Sequence, residues 1–178
     1  MSAATQLPEV GFPASGLHAM RRALEADLGP ESAARALQNA GHSAGDAFYA
    51  LLAGADSVPD LTASEFWRRL GELFAERGWG QLHFGSEHPG IGSLESTDWA
   101  EADPATAALR PSCHFTTGLL ANLLGRTAGQ DVGVLEVECR SRGDLRCRFL
   151  FGGADALGHV YAALRAGRDV ASAIAELG

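Results

Sequence analysis

The sequence predicts an α+β domain, an antiparallel sheet packed with helices. Three observations predict it. Long stretches toward both ends carry apolar residues at helical spacing. Short stretches between them alternate with period two. The strands come as two hairpins with a helix between them, and no strand–helix–strand alternation of a parallel sheet runs through the chain.

The elements follow in order. "SGLHAMRRALEADLG" sets Leu17, Met20, Leu24 and Leu28 at helical spacing, with Ser15 as its cap and Gly29 as its stop. Pro30 suits the first turn of a second helix, "PESAARALQNAGHSAGDAFYALLAG". Gly41 and Gly45 lie four apart in it, which predicts close packing of another element on that face. "LTASEFWRRLGELFAERG" is a third helix, with Thr62 and Glu65 as a capping box and Phe66, Leu70, Leu73 and Phe74 as its apolar stripe. "WGQLHFGSE" and "GIGSLESTDW", separated by "HPG", read as two antiparallel strands. "AEADPATAALRP" is a loop or short helical turn. "HFTTGLLANLLGRTAG" is a fourth helix, apolar on much of its circumference and therefore buried. "DVGVLEVECR" and "LRCRFLF" alternate on either side of "SRGD" as a second hairpin. Helical "ALGHVYAALRAG" and "DVASAIAELG" close the chain.

The 178 residues suit a single domain over 1–178, with 1–13 as a flexible N-terminal segment. Hydrophobic residues make up 46% and charged residues 20%, a composition that folds rather than stays disordered. Net charge is -8, from 14 basic and 22 acidic residues, which argues against a nucleic-acid partner and against an anionic membrane surface. No apolar run reaches the ~20 residues of a spanning helix. "MSAATQLPEVGFP" has neither the basic start nor the apolar stretch of a signal peptide. The expected compartment is the reducing cytoplasm, where thiols stay free or hold metal. An odd count of three cysteines further weakens a disulfide reading.

Those cysteines are Cys113, Cys139 and Cys147. In the last strand, Leu145, Cys147, Phe149 and Phe151 point to one face and Arg146 and Arg148 to the other. Read alone, Cys147 is a small buried hydrophobe. Cys139 and Cys147 lie equally far from Gly143, so the hairpin brings their thiols together. Cys113 opens the fourth helix, whose dipole favours thiolate. With a carboxylate, Glu136 or Glu138, the thiols make the four-ligand set of a closed zinc site. Arg140, Arg142, Arg146 and Arg148 are available to offset its charge, or form an ordinary solvated strand face. Glu136 and Cys139 are three apart, so the strand must bulge or end between them for both to bind one ion.

A cysteine before a glycine-containing helix, then "ExxC", seven residues and "CRF" resembles the 4-vinyl reductase domain family. That family includes sensor domains of phenol- and xylene-responsive bacterial activators and is related in fold to small subunits of the vesicle-tethering TRAPP complex. The resemblance is strongest from Trp99 to Phe151. It selects Glu136 over Glu138 and implies a metal site of Cys113, Glu136, Cys139 and Cys147. It also implies a structural zinc beside a small-molecule pocket, and a homodimer formed through the helices. The Ala-rich second helix, more apolar than one core-facing stripe needs, agrees with a dimer. By the same resemblance Trp99, in "STDWAEA", lines the ligand site, although the segment from Trp99 to Cys113 is shorter than in the phenol sensors. Gly85, Gly90 and Gly92 leave room beside it, and His83, if it faces inward, adds a polar contact. The acids around Trp99, namely Asp98, Glu101 and Asp103, read as a solvated loop.

His114 adjoins Cys113, but neighbours on a helix point about 100° apart and make a poor catalytic dyad. No GxGxxG or GxxxxGK[ST] fingerprint is present, so the vinyl reduction behind the family's name is not inferred and no catalytic residue is assigned. The leading expectation is a zinc-containing sensor or carrier domain for an apolar or aromatic ligand, signalling to a partner protein. Beside it stand an accessory protein or enzyme of tetrapyrrole metabolism and a ligand-free dimeric interaction module.

Overall fold

Helix α1 (Ala14–Leu28) runs to Gly29, whose φ of 78° breaks it and hands the chain to Pro30 at the start of α2 (Pro30–Ala53). This is a computed structural model, and it describes residues 9–54 and 58–177. Of the expected flexible segment 1–13, residues 1–8 lie outside those described, and 9–13 precede α1 without regular structure. Ser15 falls inside α1 rather than capping it; Pro13 holds the cap position. Helix α3 (Ala63–Glu76) starts at Thr62, whose hydroxyl accepts from the Glu65 N–H. The Glu65 carboxylate does not complete the box, because Arg68 and Arg69 take it.

The strands β1 (His83–His88), β2 (Ile91–Ser96), β3 (Gly133–Glu138) and β4 (Cys147–Gly152) form one antiparallel sheet of order β1-β2-β4-β3. The two predicted hairpins are therefore joined through β2 and β4. Between them runs α4 (His114–Ala128), and α5 (Ala154–Arg165) and α6 (Val170–Ala175) end the chain. One sheet face carries Leu94, Cys147 and Phe149 into the core with α3 and α4. At one end of the other face, Ile91 and Leu150 meet Leu157, Val160 and Ala163 of α5 and Ile174 of α6. Its other end is polar, with Arg146 and Arg148 paired to Glu87, Glu95 and Glu138.

Gly41 does pack against another element. A Cβ there would lie 1.9 Å from the Phe115 carbonyl oxygen, and one at Gly118 would lie 2.0 Å from that of Gln38. Backbone thus meets backbone where α2 crosses α4, and Gly45 seats the Asn122 side chain in the same way. Leu145 departs from expectation. It is 92% exposed, because β4 begins only at Cys147 and the preceding turn carries Leu145 into solvent. Among the described residues, no helix is long and apolar enough to cross a membrane.

Candidate functional site

Three segments converge at the start of α4. Cys113 is its N-cap residue, with φ -83° and ψ 61°. Glu136 lies on the core face of β3, opposite Phe149 of β4. The pairing register slips between Glu136 and Glu138, and β3 ends before Cys139, so the strand both bulges and stops where the shared site requires. A short 3-10 turn at Arg140–Arg142 and Gly143 at φ 96° then return the chain to Cys147.

The result is a compact, fully enclosed cluster. One ligand atom each from Cys113, Glu136, Cys139 and Cys147 lies within 4.8 Å of every other. The sulfurs of Cys139 and Cys147 are each 3.9 Å from that of Cys113. All three cysteines are free and buried. Glu136 Oε2 accepts from the Cys113 N–H at 2.8 Å, while Oε1 is buried without a hydrogen-bond partner. Burial raises the Cys113 thiol and the Glu136 carboxyl well above their ordinary ranges. The helix dipole at Cys113 is overridden by this desolvation. Cys139 goes the other way, held low by the thiols of Cys113 and Cys147. A group of this kind can hold a metal ion, and the orphaned Oε1 beside three sulfurs is the kind of atom an ion satisfies.

The neighbouring arginines do not turn toward the sulfurs. Arg146 and Arg148 belong to the glutamate network on the opposite sheet face. Arg142 pairs with Asp144, whose carboxylate also accepts from the Cys139 N–H. The thiols keep a neutral, apolar wall instead.

Trp99 lies in the core, 0% exposed, packed against Phe74, Trp79 and Phe149. Its indole N–H donates to Thr116 Oγ1 at 2.8 Å. The expected room beside it is filled. A Cβ on Gly92 would meet the Phe151 ring at 2.3 Å, one on Gly85 would meet Ser93 Oγ at 2.6 Å, and Gly90 sits in the β1–β2 turn. His83 is exposed on β1, a strand at the sheet edge. Neither Trp99 nor His83 lines a described cavity.

Glu101 is no solvated acid. It is 2% exposed, and its carboxylate accepts from the N–H groups of Phe115 and Thr116 and from the Thr116 hydroxyl. It caps α4 from a neighbouring loop. Burial raises its pKa to about 7, against the pull of those three donors.

A cavity of about 700 Å³ opens one aromatic layer away from Trp99, between α1, α2 and the first turn of α4. Leu17 and Met20 of α1 face Ala44 and Phe48 of α2 across it, and Trp79 and Phe115 close one side. The last two rings are stacked, with centroids 5.7 Å apart. Glu9 and Arg77 are the only charged residues on its lining among those described. The helical stripe of α1 was legible in the sequence. That α1 stands off α2 far enough to leave a cavity was not, because no residue type signals a gap.

Comparison with known proteins fits this geometry. Residues 98–152, which run from the Trp99 loop through the cluster to the end of β4, match the vinyl-4-reductase domain family. The fold is similar to the phenol-responsive sensory domain of the transcription activator PoxR, solved with phenol. The TM-score is 0.69 at 18% identity, covering 83% of this chain and 77% of that one. It is also similar to a vinyl-4-reductase family protein from Methanocaldococcus jannaschii. There the TM-score is 0.51 at 19% identity, covering 83% of this chain and 84% of that one. No curated protein matches the chain. The segment that carries the thiol cluster is thus a domain of the vinyl-4-reductase family, and the α+β fold around it is the one these related structures share.

Proposed function

We propose that the protein is a small-molecule-binding domain, a sensor or carrier for an apolar or aromatic ligand, with a structural zinc at Cys113, Glu136, Cys139 and Cys147. The observation that carries the ligand reading is the 700 Å³ cavity, walled by stacked Trp79 and Phe115. Its size lies in the range of small-molecule sites and its lining is mostly apolar. The likeness to a phenol-responsive domain supports the same reading. In this proposal Trp79, rather than Trp99, supplies the aromatic wall.

The donor set supports zinc. Ligands ~2.3 Å from a tetrahedral ion stand about 3.8 Å apart, close to the 3.9 Å between the sulfurs here. Three thiolates and a carboxylate suit zinc better than calcium or magnesium. A closed site of this kind supplies a cross-link rather than catalysis. The residues around it hold the geometry: the Cys113 N–H fixes Glu136, and Asp144 fixes the Cys139 backbone. A reducing cytoplasm keeps such thiols available, and pairing of two copies through the helices completes the proposal.

Elemental analysis and native mass spectrometry of the purified protein are expected to give one zinc per chain and a dimer. Thermal-shift titrations with phenol and indole, read beside tryptophan fluorescence, are expected to raise Tm in wild type. Trp79→Ala is expected to lose that rise. If no apolar or aromatic compound raises Tm, the ligand reading falls and a ligand-free interaction module replaces it.

A further inference from the structure

The cavity is apolar except at one place. Arg77 lies at the C-terminal end of α3 and contributes the only cationic lining group among the described residues. Its guanidinium is anchored from below, with Nη1 donating to the Leu73 carbonyl at 3.2 Å. Nε and Nη2 face the cavity mouth and hold both oxygens of Glu9, at 2.6 and 3.2 Å. Glu76 stands on the far side, its carboxylate 4.0 Å away and largely in solvent. Glu9 belongs to the irregular segment ahead of α1, and that segment continues along the cavity lining as Val10, Gly11 and Phe12. The chain therefore lays a carboxylate on Arg77 and apolar groups along the adjoining wall. This is the pattern of an amphipathic acid.

Building on the ligand reading above, we infer that the natural ligand is an amphipathic monocarboxylate, a fatty or aryl-alkanoic acid. Its apolar body lies between Met20, Phe48, Trp79 and Phe115, and its carboxylate replaces Glu9 on Arg77. Three observations converge on it. The planar fork of an arginine matches a carboxylate in bidentate geometry and is held in place by a backbone contact. The cavity offers no second charged group to an uncharged or cationic ligand except Glu9 itself. The Glu9 side chain is 49% exposed, so the present occupant leaves for solvent at small cost, whereas the Arg77 side chain is 23% exposed and stays. Glu9 is a built-in competitor that satisfies the guanidinium until an acid arrives.

The test compares decanoate with decan-1-ol, matched in chain and differing in the head group, below the concentration at which either aggregates. Binding is followed by tryptophan fluorescence and by Tm in wild type, Arg77→Gln and Glu9→Gln. In wild type, decanoate is expected to bind several-fold more tightly than decanol. Glu9→Gln removes the competitor and widens the preference to about tenfold or more, the scale of a charge-assisted bidentate contact. Arg77→Gln abolishes the preference, and unchanged decanol binding by that variant shows that the cavity is intact. Equal binding of acid and alcohol in wild type and in Glu9→Gln overturns the inference. If indole or phenol raises Tm and decanoate does not, the inference fails while the ligand reading stands. If none of the four compounds binds, both fail.

Discussion

The thiol cluster and the cavity flank the same first turn of α4, with Cys113 serving one and Phe115 the other. They are built in opposite ways. The cluster gathers four donors from three distant segments, shields all of them from solvent, and tolerates few substitutes. The cavity is made from leucine, alanine, methionine and phenylalanine, types that any helix core uses, and only the spacing of the backbones makes it a space. The difference teaches which kind of site a sequence can disclose. Metal-ligating chemistry needs particular atoms, so it marks the sequence with rare residues at fixed spacing. An apolar cavity is an absence of packing, and absence leaves no mark.

The comparison breaks most directly at the cluster. Cys147→Ser is expected to abolish stoichiometric zinc and to lower Tm by on the order of 10 °C, because the site ties the start of α4 to the β3–β4 hairpin. Elemental analysis and calorimetry check both. A wild-type protein with the same Tm before and after chelation would sink the zinc proposal.

Glu101 tests the turn that the two sites share. Its pKa is about 7 in the fold, against 4.5 for an ordinary glutamate. Between those values the folded protein keeps a proton that the unfolded chain has lost. The burial cost is thus absent below about pH 4.5, grows as pH rises, and is complete above about 7, where it reaches about 3 kcal/mol. Denaturant unfolding of wild type and Glu101→Gln across this window is expected to show wild-type stability falling with pH relative to the variant. Parallel profiles would place the carboxyl's titration outside the window.

Trp99→Phe sharpens the cavity side. The change removes the N–H bond to Thr116 and leaves a gap in a packed aromatic group, for a loss of about 2 kcal/mol. Ligand-dependent fluorescence is expected to survive, because Trp79 carries it. Loss of binding in this variant with the fold intact would return the ligand site to Trp99. The smallest effect is expected at Leu145. It sits two residues from Cys147 but in solvent, so Leu145→Ala is expected to shift stability by less than about 0.5 kcal/mol by denaturant unfolding.

Much of the fold was legible, for stated reasons. Gly29 and Pro30 punctuate two helices, the Phe66–Phe74 stripe is buried as its spacing requires, and both hairpins pair as read. The four cluster residues were legible through spacing and family resemblance, and the bulge after Glu136 could be required from geometry alone. Strand alternation misled at Leu145, because periodicity does not say where pairing starts. Glu101 was missed because burial of an acid depends on donors from α4, which its own neighbours in sequence do not announce. Trp99 was read from the resemblance as part of a ligand site. In the structure the space its spacing implied is filled by Phe74, Trp79 and Phe149.

The seat of α2 on α4 also sets a clock. At Gly41 and Gly118 the two helices touch through main chain, and main chain has no rotamer to swing aside. Neither helix can breathe alone without parting the other from its seat, so their amides open together. In deuterium exchange the central amides of α2 and α4 are expected to be the last to take up label, on the timescale of global unfolding. Those of α1, separated from α2 by the cavity, are expected to exchange sooner by orders of magnitude.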